Sequence, residues 1–464
     1  MSIPHPQFDR YRLVLLCPRR RLVLLEESAS RFSLPQLLVP RWTRAARNVT
    51  RLIRERWAIR ATIVDFLGDH PGGGNVVIAA HVDERRERQA DTRIGWHPLH
   101  ALAEGDLNEE ELFVIRRLLD VGATGRGPFS RMDWIEDLLG WACKALRLER
   151  SQLSDETVQL NAAADAALVH ISERTGPGYW FKAAGRSHPN ERQITETLTM
   201  RCPEYLPEII AVHDEWNGWL MRDAGIPLLS SGSSISTHAV GVVGRLGELQ
   251  AATASCVEEL LFIGSHDHRL PALRAQIREL TPCLEEAMRE PEAHIGTRIE
   301  SARLRSIATL AVEATLRLED TGVPDTLLHC DIGFENILLG ADRCVFIDWA
   351  QASVGHPFIT FENLCSQFAQ DHKVRNLVPR IRKAYLEVWD ARLLGERHRQ
   401  ALASVPLVTL ATLLCCRREW LTGSQKRRSS SQSYARVLAR QMDLAARGIE
   451  DTRAVSSVRR RLIA

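Results

Sequence analysis

LLHCDIGFENILLG, residues 327–340, is the stretch whose reading decides the fold. It sets His329, Asp331 and Asn336 in the spacing H-x-D-x4-N, and Asp348 follows twelve residues after Asn336, inside CVFIDWA. Ile337-Leu338-Leu339 and Val345-Phe346-Ile347 read as two short strands joined by the turn Gly340-Ala341-Asp342-Arg343, a hairpin that sets Asn336 beside Asp348. Phosphoryl transfer from Mg-ATP needs this equipment. One carboxylate orients the attacking hydroxyl and accepts its proton, while an amide oxygen and a second carboxylate hold the metal on the nucleotide phosphates. The bland alternative is a turn with capping Asp and Asn, and H-x-D-x4-N alone is a weak signal. The apolar-Asp-Trp segment at matched spacing gives it weight.

Such a site also needs a lysine on an upstream strand and a glutamate on the next helix. The chain has only five lysines, Lys144, Lys182, Lys373, Lys383 and Lys426. Lys182 sits in an aromatic and small-residue strand over residues 179–184 and reads as a half-exposed strand lysine. Glu191 begins the following helix and Glu196 lies further along it. Five residues apart, the two do not share a helix face well, and Glu191 is the favoured partner with Glu196 in reserve.

With these residues in hand, residues of about 150–450 resemble the aminoglycoside phosphotransferase and choline-kinase-like family. The resemblance implies an α+β fold, the bilobal protein-kinase-like arrangement, with a strand-rich N-terminal lobe over 151–225 and a predominantly helical C-terminal lobe over 226–464. It implies Asp331 as catalytic base, Asn336 and Asp348 as Mg²⁺ ligands, and Lys182, with Glu191, on the ATP phosphates. It makes the segment from Met221 through Asp223 to Ala224 the hinge that offers backbone groups to adenine. Ala350 follows Asp348-Trp349 where protein kinases have glycine, and no A-P-E motif follows. That departure favours a small-molecule kinase over a protein kinase.

Residues 1–122 read as a small α+β unit: an apolar hairpin over 11–25, a helical pattern over 43–57, strands around the turn at 70–74, then Trp96-His97-Pro98-Leu99 and a helix over 108–119. The order resembles a Nudix-like domain. Aligned on the Nudix motif, Arg51 and Glu55 match, but Leu52, Arg56 and Thr43 stand where carboxylates belong and Leu37 replaces a glycine. One carboxylate among arginines cannot hold a hard dication well, so the domain is expected to be non-catalytic. Residues 123–150 read as a Gly-rich linker and a helix.

The 464 residues are 45% hydrophobic and 25% charged, an ordinary globular composition. Lys+Arg 60 against Asp+Glu 58 leaves +2, so no global field recruits nucleic acid or anionic membrane. The apolar run over 401–416 is too short and interrupted to span a bilayer. MSIPHPQFDRYR lacks the apolar core of a secretory signal, and ten scattered cysteines without C-x-x-C suit a reducing cytoplasm. His266-Asp267-His268 lacks a third ligand at helical spacing and reads as a loop, Gly72-Gly73-Gly74 as a turn, residues 283–292 as an acidic, solvated helix face, and QKRRSSSQS as a flexible loop. The expectation is a cytoplasmic, Mg-ATP-dependent O-phosphotransferase acting on a small hydroxylated acceptor of aminoglycoside-, amino-alcohol- or sugar-like type. A pseudokinase or nucleotide-binding scaffold and a protein kinase are the alternatives. Acceptor identity and oligomeric state are not legible.

Overall fold

The computed structural model describes residues 8–17, 20–28, 31–41, 43–70, 73–81, 93–101, 107–123, 125–231, 235–289, 298–341, 343–370, 374–389, 401–417 and 429–463. The expected turn residues Pro71 and Gly72, and residues 425–428 of the basic QKRRSSSQS stretch, lie outside them. The rest of that stretch, Ser429 to Ser433, expected as a flexible loop, is instead the first part of a long helix. The chain forms two compact units: residues 1–192 with 208–223, and residues 193–207 with 224–464.

In the first unit, β1 (Phe8–Cys17), β2 (Leu22–Ser28), β3 (Arg31–Ser33), β4 (Gln36–Pro40), β5 (Arg60–His70), β6 (Gly73–His81) and β7 (Ile94–Pro98) make one mixed sheet. β1 runs parallel to β6, Leu13 opposite Val76, and antiparallel to β2 and β4. Its run Leu13 to Cys17, LVLLC, is apolar throughout because both faces are covered. Leu13 and Leu15 pack beneath α1 (Ala45–Trp57) with Val49, Ile53 and Trp57. Val14 and Leu16 face the other way, onto Ile115 and Leu118 of α2 (Glu109–Val121). Asn108 and Glu111 form a capping box that starts α2, and Gly122, at φ 75°, ends it in the left-handed region that glycine adopts without strain.

The same unit holds α3 (Trp134–Leu146) and a second sheet of β8 (Val158–Ala162), β9 (Ala167–Ser172), β10 (Gly178–Ala183), β11 (Ile209–His213) and β12 (Gly218–Arg222), in the order β11-β12-β10-β9-β8. Val169, Ile171 and Phe181 alternate onto the α3 face. Edge strand β8 docks on the first sheet. The buried Gln159 amide accepts from Ile63 N–H at 2.9 Å and donates to the Ile63 carbonyl at 3.0 Å, satisfying both backbone polar groups of that residue. The Gly-rich stretch after 122 is packed rather than loose: Phe129 is buried and donates to the Ala164 carbonyl, and a Cβ at Gly127 would stand 2.1 Å from that same oxygen.

Only the first two residues of α4 (Glu191–Arg201) belong to the first unit; the rest belongs to the second, which is mostly helical: α5 (Ile235–Thr253), α6 (Val257–Phe262), α7 (Leu270–Arg289), α8 (Ser301–Glu319), α9 (Phe358–Gln370), α10 (Val378–Leu386), α11 (Val405–Cys416) and α12 (Ser429–Ile463). The apolar run of α11 is buried among Leu304, Phe361, Leu364 and Met442, which is why almost every position of that helix is hydrophobic. No helix among the described residues is long and apolar enough to cross a membrane. Two small sheets complete the unit. One is β13 (Ile226–Pro227), β16 (Ile337–Leu339) and β17 (Cys344–Phe346); the other is β14 (His266–His268), β18 (Ala352–Gly355) and β15 (Thr326–His329). His266-Asp267-His268, expected as a loop, is thus a strand, held parallel to β18 with His268 opposite Gly355.

Candidate active site

The LLHCDIGFENILLG stretch folds as β15, a loop, a single 3₁₀ turn over Phe334–Asn336 and then β16. β16 and β17 form the expected hairpin, with Ile337 opposite Phe346. Ile347 N–H donates to the Asn336 carbonyl at 3.0 Å, so Asn336 and Asp348 leave the hairpin at the same end. The Asn336 side chain is buried, and its amide nitrogen donates to the Asp331 carbonyl at 2.9 Å. That bond fixes which end of the amide is oxygen and ties the loop bearing Asp331 to the hairpin. Ile347 is tied a second time, its carbonyl accepting from His329 Nε2 at 2.8 Å. His329 in turn packs on Trp349, ring centroids 4.6 Å apart.

Asp348 adopts φ 69°, ψ 64°. Left-handed backbone at a non-glycine residue costs on the order of 1 kcal/mol and persists where the surroundings dictate it. Here the hydrogen bonds on both sides of Ile347 supply that constraint. An amide oxygen from Asn336 and a carboxylate from Asp348 are hard oxygen donors, the set that suits Mg²⁺.

Asp331 is about half exposed, and its Oδ1 accepts from Arg417 Nη2 at 3.1 Å. With its side-chain amide turned, Gln351 accepts from the same guanidinium. Asp331, Gln351, Asn363, Gln367, Arg417 and Tyr434 line a cavity of about 180 Å³. Burial raises the Tyr434 hydroxyl above its usual range, with Arg417 opposing. Cys330 and Cys416 also border the cavity. Hydrogen bonding from Cys416, then from His268, holds the Cys330 thiol well below its ordinary range, while burial pushes Cys416 up.

In the first unit, the Lys182 ammonium pairs with the Glu191 carboxylate and lies 5.9 Å from the centre of the Trp219 ring, its cross-strand neighbour. The lysine is not half-exposed as expected: its side chain is 17% accessible and that of Glu191 3%. Glu191 reaches it because α4 begins at that residue. Met221 pairs with Trp180 across β10 and β12. Asp223 N–H donates to the Gly178 carbonyl at 3.0 Å, and its carboxylate lies 3.3 Å from His170 Nε2.

A family model described as APH, phosphotransferase enzyme family, matches residues 144–397, more than half of the chain. The chain belongs to the APH phosphotransferase family. Membership places it among small-molecule phosphotransferases. No curated protein sequence matches it. Among solved structures it is similar to choline kinase from Cryptosporidium parvum Iowa II, at 14% identity and TM-score 0.47, over 68% of this chain and 97% of that one. A choline/ethanolamine kinase family protein from Mesorhizobium loti gives 13% and 0.45, over 70% and 99%. The macrolide 2'-phosphotransferase MphH from Brachybacterium faecium gives 15% and 0.43, over 65% and 97%.

For this APH-family chain, sequence reasoning missed Arg417, Gln351 and Tyr434. Arg417 stands 86 residues beyond Asp331 and, like Tyr434, beyond the segment that the family model matches. Its only local signal is an arginine pair closing an apolar helix. Cys330 was visible in the central motif, but its two neighbours, from β14 and the end of α11, were not.

Proposed function

We propose that the chain transfers the γ-phosphoryl group of Mg-ATP to a hydroxyl of a small, uncharged or sugar-like acceptor, in a reducing cytoplasm. The observation that carries this reading is the double tie at one end of the hairpin, with Asn336 bonded to the Asp331 carbonyl and Ile347 to the Asn336 carbonyl. It keeps a base, an amide oxygen and a second carboxylate in fixed relation, and positioning of that kind is most of what this reaction asks of a protein. Asp331 orients the acceptor hydroxyl and takes its proton. Asn336 and Asp348 hold Mg²⁺, which when bound neutralises phosphate charge. Lys182, held by Glu191, binds the nucleotide phosphates, and the Met221–Asp223 segment offers backbone groups to adenine.

We read the acceptor class from the cavity beside Asp331. Among the described residues its polar lining is amides, a phenol and one guanidinium, with Asp331 the only carboxylate. Polycations favour acidic walls, and the acidic face of α7 offers little, since Glu285 is already paired with Arg305 and Arg289. Neutral amides and a phenol suit hydroxyl groups instead. The Nudix-like resemblance of the N-terminal sheet is assigned a docking role, because Glu55 already holds Arg51 and β8 packs against β5.

The Arg417–Asp331 pair favours one second reading, an inert nucleotide-binding scaffold, since it engages the proposed base. Incubating the full-length chain with Mg-ATP and panels of sugars, amino alcohols and aminoglycosides separates the two. Acceptor-dependent ADP release with a phosphomonoester product supports the kinase. Mg-ATP binding without turnover on any acceptor supports the scaffold, and no Mg-ATP binding overturns both.

A further inference from the structure

His268, Cys330 and Cys416 converge from three parts of the second unit. His268 ends β14, Cys330 directly follows β15, and Cys416 is the last residue of α11. One ligand atom from each lies within 4.8 Å of the other two. Cys416 Sγ is 3.7 Å from His268 Nδ1. His268 is 3% and Cys330 6% exposed, and Cys416 is partly buried. The backbone is shaped to allow the approach. At Gly355, opposite His268, a Cβ would stand 2.5 Å from the His268 carbonyl oxygen, so glycine lets β14 lie against β18.

We propose that these three residues form a binding site for a thiophilic divalent cation of zinc type, separate from the Mg²⁺ ligands proposed above. Zinc binds thiolate at about 2.3 Å and imidazole at about 2.0 Å, so a tetrahedral site has S···N edges of about 3.5 Å and an S···S edge of about 3.8 Å. The observed 3.7 Å S···N separation meets that edge with little side-chain movement. Charge favours the same ion. Two thiolates and a neutral imidazole around a dication sum to zero, the only cheap way to keep two thiolates in a buried site. Soft sulfur ligands disfavour Mg²⁺ and Ca²⁺. The three protein ligands found among the described residues leave the fourth position to a small ligand from the cavity that Cys330 and Cys416 border. Ser353 Oγ, 3.3 Å from Cys330 Sγ, accepts from that thiol and donates to the Gln351 carbonyl, so it holds the sulfur in place from outside the trio.

The site's place in the chain gives it a purpose. Cys330 precedes Asp331, and Cys416 precedes Arg417, which pairs with Asp331. One ion would therefore lock both partners of that pair through their immediate neighbours. The inference does not depend on the phosphotransferase reading, because it is tested by metal content.

Full-length protein, made without a polyhistidine tag and purified under reducing conditions with zinc present, should carry one zinc ion per chain by elemental mass spectrometry. Replacing zinc with Co²⁺ should give thiolate-to-cobalt charge-transfer absorption and intense tetrahedral d–d bands. Cys330→Ser, Cys416→Ser and His268→Gln should each lose the ion and those bands, whereas Cys365→Ser, at a buried cysteine elsewhere, should keep both. If these variants fail to fold, alkylation of the wild-type protein answers the same question: zinc should protect Cys330 and Cys416 selectively, and chelation should expose them. A metal-free protein that takes up no Co²⁺, a bound ion indifferent to all three substitutions, or a Cys330–Cys416 disulfide in the reduced preparation would overturn the proposal.

Discussion

Arg417 Nη2 lies 3.1 Å from Asp331 Oδ1, so one oxygen of the proposed base is held by a guanidinium whose carrier helix ends at the preceding residue. The pair is partly exposed, 23% and 49% accessible, and such pairs contribute at most about 1 kcal/mol to stability. Its value is orientation. Arg417→Gln should leave unfolding stability and Mg-ATP affinity almost unchanged while turnover falls about ten- to a hundredfold, and Arg417→Lys should recover only part of the loss because a point charge does not reproduce the guanidinium fork. Steady-state turnover beside calorimetric titration checks both. Turnover that rises in Arg417→Gln would instead mark the pair as restraining.

Lys182 and Glu191 should behave as a buried pair. Removing the lysine leaves a 3% accessible carboxylate without its cation, which costs of order 3 kcal/mol. Lys182→Ala should therefore lose thermal stability as well as nucleotide affinity. The double substitution Lys182→Met with Glu191→Leu should regain much of the stability and none of the nucleotide binding. Differential scanning calorimetry of the singles and the double measures the coupling.

Much of the second unit was legible because its signals are local. Asp331, Asn336 and Asp348 fall within eighteen residues, and the alternation of apolar flanks with a four-residue turn specifies the hairpin that joins them. Lys182 and Glu191 were legible as a pair, but not their burial, since Trp219 reaches the lysine from another strand. What stayed hidden depends on long-range closure. No periodicity announces that β14 will pair with β18, or that the end of α11 will return to the residue after β15. For the same reason His266-Asp267-His268 read as a loop, because three polar residues carry no strand pattern until a parallel neighbour supplies their hydrogen bonds.

Gln159 tests the docking of the two sheets in the first unit. Its amide pairs with both the N–H and the carbonyl of Ile63 from the edge of the second sheet. Gln159→Leu leaves a buried N–H and a buried carbonyl unpaired, at about 1–3 kcal/mol. The expected result is a lower unfolding midpoint and faster proteolysis near Ile63, with nucleotide affinity per folded molecule unchanged. Unaltered hydrogen exchange at Ile63 would show that the contact is dispensable.

His356 sets an acid-dependent term. Burial lowers its pKa from 6.5 to about 3, and its Nδ1 accepts from Phe358 N–H at 3.4 Å. Above pH 6.5 the ring is neutral in both folded and unfolded chains and contributes no slope. Below it the unfolded chain binds a proton that the folded chain refuses until about pH 3, so stability falls through that window by up to about 1.4 kcal/mol per pH unit. His356→Asn keeps an acceptor near the Nδ1 position and removes the titration. It should be less stable at neutral pH through lost packing, yet lose less on acidification than the parent. Urea unfolding across the window gives both slopes, and parallel slopes would mean that the imidazole charges in the folded state.

Asp331 and Asp348 should fail in different ways. Asp348 is assigned to the metal, and its carboxylate sits on backbone held at φ 69°. Asp348→Asn removes the charge without freeing that backbone, and asparagine tolerates the left-handed region as well as aspartate does. The chain should stay folded while Mg-dependent nucleotide affinity and turnover fall together. Asp331 is assigned to the acceptor hydroxyl, which nucleotide binding does not engage. Its substitution also leaves intact the hydrogen bond from Asn336, because that bond ends on the Asp331 backbone carbonyl. Asp331→Asn should therefore keep near-normal Mg-ATP affinity while turnover falls about 10²–10⁴-fold, the usual worth of a positioned base. Titration with a non-hydrolysable ATP analogue, beside turnover on the acceptor that the panel identifies, separates the two. If Asp331→Asn turns over normally, the base lies elsewhere. If Asp348→Asn binds Mg-ATP as tightly as the parent, the metal is held by other oxygens and the hairpin is a scaffold rather than a site.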